Sequence, residues 1–223
     1  ASAGDSASTM SFWMAAAPLG AAPIYVDADA TGPQTGLSWT DAYRSVQAGV
    51  IAAAAGGGGE VWVAEGSYTF FRMSSNVEVY GGFRGDETAR SQRDPAAHVV
   101  RIDHSAVGGQ AVIFDRTVGA VLDGVTVENG YAFGGTPTTD GGGGVFLYRA
   151  DATNRVVNCV VRNNLAAIGG GIYALESSAV IADCAIRANL SFDGGAGVAF
   201  EASPATLENS TVENNLTRSE GVV

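Results

Sequence analysis

Apolar and polar residues alternate along the C-terminal half of this chain in a phrase that occurs three times: NCVVRNN from Asn158 to Asn164, DCAIRAN from Asp183 to Asn189 and NSTVENN from Asn209 to Asn215. The copies begin about 25 residues apart, with Gly-rich punctuation between them at Gly169-Gly170-Gly171-Ile172 and Gly194-Gly195-Ala196-Gly197-Val198. Alternation over short runs predicts strands, and this period has no room for a helix of ordinary length, so one repeat reads as one coil of a parallel β-helix. The predicted runs are Val156 to Val161 and Ile172 to Leu175 in one repeat, Val180 to Ile186 and Val198 to Phe200 in the next.

Aligned, the phrases stack like on like. Cys159, Cys184 and Ser210 form a column of small residues, Val161, Ile186 and Val212 an aliphatic column, and Asn164, Asn189 and Asn215 a third. Asn tolerates the left-handed backbone and hydrogen-bonds to nearby peptide groups, so the third column predicts a side-chain ladder at the corner, one rung every ~4.8 Å. Further back, Val125 takes the cysteine column, Val127 the aliphatic column and Gly130 the corner, followed by an insertion from Tyr131 to Gly143. Insertions in solenoids emerge as loops on one face. Val77 to Tyr80, Val99 to Ile102 and Ala111 to Phe114 read as earlier rungs.

The N-terminal third follows a different pattern. A strand from Ile24 to Val26 is followed by a helix predicted over Asp41 to Ala55, with Thr40 or Asp41 as N-cap and Gly56 as terminator, and by a strand from Glu60 to Ala64. A helix laid over the first coil would hide its unpaired edge and apolar interior. The chain thus divides into an apolar N-terminal segment (1–22) that caps the stack or contacts a subunit, an N-terminal cap with first rungs (23–95), and the repeating rungs (96–223), whose C-terminal end reads as uncapped. Within the first segment, Ser11 to Ala22 is apolar but lacks the preceding positive charges of a signal peptide. No apolar stretch reaches transmembrane length.

Composition narrows the partners. Thirty-one glycines suit many tight turns. Twelve Arg and no Lys stand against 23 acidic residues, and the net charge of −11 argues against nucleic acid or anionic membrane as a partner.

Here the residues reach a family. IYVDADATG, GLSWTDAYRSVQAGVIAA, GEVWVAEGSYT and VEVYGGFRGDETARSQRD resemble the N-terminal region of secreted bacterial right-handed parallel β-helix proteins of the pectate-lyase-like superfamily. The GGGI and GGAGV punctuation with VRNN, IRAN and VENN is similar to the repeats of the polymorphic outer-membrane protein family. The resemblance implies export, a right-handed coil, and a cell-surface or adhesive role, and it carries no catalytic residues. The fold class expected is therefore an all-β solenoid, a right-handed parallel β-helix with an N-terminal capping strand and helix.

Several residue groups could carry chemistry. Asp27, Asp29 and Thr31 before Gly32 begin like a calcium loop but lack the later bidentate acid, so a solvated turn competes with a calcium site; no other cofactor is expected. Arg84-Gly85-Asp86 spells an integrin-read tripeptide at a position where a turn is expected anyway. Cys159 and Cys184, stacked one rung apart, read as buried thiols, with a disulfide the alternative. Asp103 with His104, Asp115 with Arg116, and Asp123 with Glu128 are scattered singly, without the carboxylate clustering that glycosidases and lyases need. Arg162, Arg187 and Glu213 read as an outward surface ladder. Three functions stay open: an exported structural or adhesive solenoid without catalysis, binding other proteins or cell-surface glycans; a subunit of an extracellular protein assembly joined through solenoid ends, with self-association through the C-terminal rung as one form of it; and a polysaccharide lyase or glycosidase.

Overall fold

The computed structural model describes residues 22–106 and 108–218. Their strands form four sheets in which every pairing is parallel, and neighbours in a sheet lie one coil apart in sequence. The first sheet has seven strands: Ile24–Val26, Gly59–Ala64, Val77–Phe83, Val121–Asp123, Arg155–Val157, Val180–Ala182 and Thr206–Glu208. The second has six: Gly66–Tyr68, Val100–Asp103, Val125–Glu128, Val160–Arg162, Ala185–Arg187 and Thr211–Glu213. The third has five: Phe71–Arg72, Val112–Asp115, Val145–Tyr148, Ile172–Leu175 and Val198–Glu201. The fourth has four: Tyr131–Ala132, Leu165–Ile168, Leu190–Gly194 and Leu216–Thr217. A full coil visits the first, second, fourth and third sheets in that order.

Each predicted run across the cysteine column is in fact two strands. Val156 to Val161 breaks at Asn158 and Val180 to Ile186 at Asp183, where φ is 52° and 54° and the chain turns from the first sheet into the second. The next corner also departs from expectation. The left-handed residues there are Asn163, Ala188 and Asn214, with φ between 53° and 56°. Asn164, Asn189 and Asn215 follow them and turn their side chains along the stack. Left-handed glycines make a further corner before the third sheet, at Gly142, Gly169 and Gly195 with φ of 68°, 59° and 48°, a conformation that any side chain would strain.

The registers align the columns seen in the sequence. Val127, Val161, Ile186 and Val212 pair in succession, and the Arg162–Arg187–Glu213 column extends back through Glu128 to Asp103. In the second sheet alternate residues point inward, and these, with their counterparts in the other sheets, form one continuous apolar interior from Val26 to Ala205. It crosses residues 95 and 96 without a break.

The helix is shorter than predicted, running Val46–Ala55 (α1), with Ser45 as N-cap accepting from the Ala48 N–H and Gly56 closing it. Tyr43 is instead drawn into an extended bridge with Val26, and Asp41 is held by hydrogen bonds with Ser38. Supplying the missing neighbour of the first strand outweighs an earlier helix start. Helix α1 covers the first coil through Val46, Gly49, Val50 and Ala53. A Cβ at Gly49 would lie 2.6 Å from Val26 Cγ2, so the approach requires glycine.

The insertion begins with the strand Tyr131–Ala132, and the remainder, 133–143, crosses the outside of the stack as a strap. No helix among the described residues is long and apolar enough to cross a membrane.

Candidate functional site

The strap lies over the outer face of the third sheet. Alternation in Val145–Tyr148 and its neighbours sends two columns outward: Arg72, Ile113, Phe146, Tyr173 and Ala199 in one, Asp115, Tyr148, Leu175 and Glu201 in the other. Phe146, Tyr173, Ile113 and Leu175 are buried in a second apolar cluster outside the solenoid interior. Phe146 stacks on Tyr173 at 5.7 Å and on Tyr148 at 6.0 Å between ring centroids. The Gln110 side-chain amide fixes the strap by donating to the carbonyls of Thr138 at 2.9 Å and Gly141 at 3.2 Å. The Asp140 carbonyl accepts from the N–H groups of Ala167 and Ile168.

Between strap and sheet lies a groove of about 330 Å³, with Phe146 and Tyr148 in its floor and Thr138, Thr139, Arg72 and Arg116 among its walls. The guanidinium carbons of Arg116 and Arg149 lie 5.1 and 4.9 Å from the Tyr148 ring centre, a cation–π arrangement. In the strap the Asp140 carboxylate accepts the Gly135 N–H, and three carboxylates on the sheet side are also engaged. Asp115 lies 3.4 Å from Arg116, Glu176 2.7 Å from Arg149, and Glu201 accepts the Tyr173 hydroxyl at 2.5 Å. Burial, with that carboxylate beside it, pushes the Tyr173 hydroxyl pKa upward. Arg72 differs. Its backbone is clamped by Gln47, whose Oε1 accepts the Arg72 N–H at 2.8 Å, while its guanidinium has no carboxylate partner among the described residues.

Of the residues singled out from sequence, only Asp115 and Arg116 reach this groove. Asp123 sits on the first sheet with Arg93 at 2.9 Å and the Asn158 amide at 3.1 Å, and Glu128 on the second with Arg162 at 2.8 Å. Asp103 accepts from the Ser105 N–H and the Asn129 amide, and these donors hold its carboxyl below the usual range. His104 is buried, its Nε2 3.0 Å from the Gly108 carbonyl. Asp27 accepts the Asp29 N–H, while Asp29 and Thr31 face solvent. No three His, Cys, Asp or Glu side chains gather as a metal site among the described residues. Arg84 and Asp86 pair with each other at the surface.

The inner columns serve the stack. Asn164 Oδ1 accepts the Gly130 N–H, Asn189 Oδ1 accepts the Asn164 N–H and amide, and Asn215 Oδ1 accepts those of Asn189, all at 2.9 to 3.0 Å. Each Asn amide also donates to a carbonyl one coil back, at Val127, Val161 and Ile186. Cys159 and Cys184 are free and buried, donating to the Val157 and Ala182 carbonyls, and burial pushes the Cys159 thiol well above its ordinary range. In the same column the Ser210 hydroxyl accepts the Cys184 N–H.

A stack of parallel coils with an outer-wall groove defines a β-helical solenoid. Residues 97–222, more than half of the chain, match the family model for the right-handed β-helix region, and the chain belongs to that family. No curated protein and no solved structure matches it.

Proposed function

We propose that this chain is an exported, non-catalytic recognition solenoid, which displays the strapped groove of the third sheet to a glycan or protein at the cell surface. The observation that carries the reading is the groove itself. It offers an aromatic floor, threonine hydroxyls and an Arg72 with no carboxylate partner among the described residues, while Asp115, Glu176 and Glu201 already hold an arginine or a tyrosine and Asp140 of the strap holds the Gly135 N–H. A glycosidase needs two carboxyls free to act across a bond, and this arrangement instead favours binding. The likeness of the cap and repeats to exported surface proteins supports the location.

The test is binding of a panel of extracellular glycans and surface proteins to the intact chain, compared with Arg72→Ala and Tyr148→Ala. Loss of binding of about tenfold or more in folded variants would support the groove. Release of new reducing ends or unsaturated sugars, abolished by Asp115→Asn, would overturn the non-catalytic reading.

A further inference from the structure

A second cleft, different in chemistry from the groove, opens where the stack turns from the second sheet into the fourth. The corner residues of successive coils there are Asn129, Asn163, Ala188 and Asn214, all left-handed with φ between 53° and 62°. The register of Glu128 with Arg162 sets Asn129 and Asn163 side by side, one coil or ~4.8 Å apart. Ala188 in the same column shows that the corner itself does not require an amide side chain. Just beyond, Tyr131 pairs with Leu165, and alternation turns both outward while Ala132 and Ala166 are fully buried. The Tyr131 ring is 53% exposed. With the turn at Ser105 and Ala106, these residues line a cleft of about 520 Å³, a size usual for small-molecule sites.

The walls select the ligand. The Asn129 amide nitrogen donates to Asp103 Oδ1 at 3.2 Å, which fixes the side chain and leaves its own Oδ1 to accept. Asn163 is exposed and its amide engages no other described residue. An amide that both donates and accepts matches a hydroxyl, which does the same, and two amides from adjacent coils can read two hydroxyls of one ring. The Tyr131 face offers an apolar surface beside them, suited to the C–H face of a sugar. Phe133 extends this surface with its ring centroid 4.8 Å from that of Tyr131, and Phe192 lies 5.6 Å further on. No carboxylate or guanidinium among the described residues lines the cleft. A negatively charged ligand would find no cation there and would meet the Asp103 carboxylate directly behind Asn129.

We infer that this cleft binds a neutral oligosaccharide, with one ring held between Tyr131 and the Asn129 and Asn163 amides and the next lying along Phe133 and Phe192. The site shares no residue with the groove of the third sheet and does not rest on its function.

The experiment titrates the intact nitrogen-15-labelled chain with tetrasaccharides of glucose, mannose, galactose and N-acetylglucosamine, and with tetragalacturonate as a charged counterpart. The side-chain amide signals of Asn129 and Asn163 are followed. At least one neutral sugar should shift both, and tetragalacturonate should bind about tenfold more weakly than that sugar. Asn163→Gly keeps the left-handed corner, and it and Tyr131→Ala should each weaken binding about tenfold as read at Asn129. Unmoved backbone signals of Val161 and Ile186 confirm that the stack is intact in both. Arg72→Ala and Tyr148→Ala should leave binding here unchanged, which separates this site from the groove. The proposal is overturned by no shift at either amide with any neutral sugar at about 10 mM. Equal or tighter binding of tetragalacturonate, or shifts that vanish in Arg72→Ala, would also overturn it.

Discussion

At the N-terminal end, apolar side chains from α1 close the interior, and side-chain or backbone groups occupy the outer edges at Tyr25, Arg72 and Tyr131. At the C-terminal end the same kinds of column meet solvent, and among the described residues nothing lies over Leu207 or Val212. Residues in one column thus share chemistry and register but not environment. Position along the stack, rather than residue type, sets what each contributes.

The sharpest way to break this comparison is to put a charge into one column at two heights. Ile186→Asp places a carboxylate in a dry interior and should cost more than ~4 kcal/mol or prevent folding. Val212→Asp, half exposed, should cost less than ~1 kcal/mol. Urea denaturation of both variants tests this, and equal losses would show that the last coil is covered in solution.

The Asn ladder gives a smaller contrast. Asn189→Ala strands the buried N–H and amide of Asn164 and the Val161 carbonyl, for an expected loss of ~2–3 kcal/mol. Asn215→Ala takes partners from the buried Asn189 N–H and amide, but Asn215 itself is half-buried and cutting it back lets water in to replace it, so ~1 kcal/mol is expected. The difference in denaturation midpoints decides, and a larger loss at Asn215 would contradict the inequality of the ends.

The columns were legible because a period of about 25 residues superimposes Val161 on Ile186 and Val212, and their registers agree. The corners were half legible. An Asn at each repeat marked the turn, but the left-handed backbone falls one residue earlier, even on Ala188, because the following Asn must stay free to bond along the stack. The fourth sheet escaped notice since Leu165–Ile168 reads LAAI, too short and too small to show alternation. The groove was the least visible part. Val145–Tyr148 reads VFLY, apolar on both faces, so nothing in it separates inward Leu147 from outward Phe146, and Tyr173 comes from another repeat. The insertion marked a loop on one face without saying which sheet it crosses.

At the closed end, removing one edge cover should be felt modestly. Gln47→Ala deprives the Arg72 N–H of its acceptor at a site water can enter, for ~1 kcal/mol. Amide exchange at Arg72 should accelerate while that of Leu216 stays unchanged. Equal acceleration at both ends would mean that the stack opens as one unit and that the ends are not independent.

The smallest effect expected is a pH dependence confined to the closed end. Burial disfavours the charged form of Glu87, but N–H donors from Arg84, Gly85 and Asp86, at 2.7, 3.1 and 3.1 Å, outweigh it and hold the carboxyl below its ordinary value of 4.5. Because the folded pKa lies below the unfolded one, the ionised group stabilises the fold above the unfolded value, and that contribution is lost as pH falls through the folded one. The carbonyl of Glu87 accepts the Trp39 indole N–H at 2.9 Å, tying this loop to the cap. Glu87→Gln should therefore be less stable than the parent near neutrality, with the gap shrinking as pH drops below about 4.5. Trp39 fluorescence and thermal melts between about pH 3 and 7 follow the change, and the difference between the two proteins isolates Glu87 from carboxylates that titrate in both. Exchange of the Thr211 and Leu216 amides should not follow it. A gap that widens in acid would reverse the sign of the linkage and remove Glu87 from the forces holding the closed end.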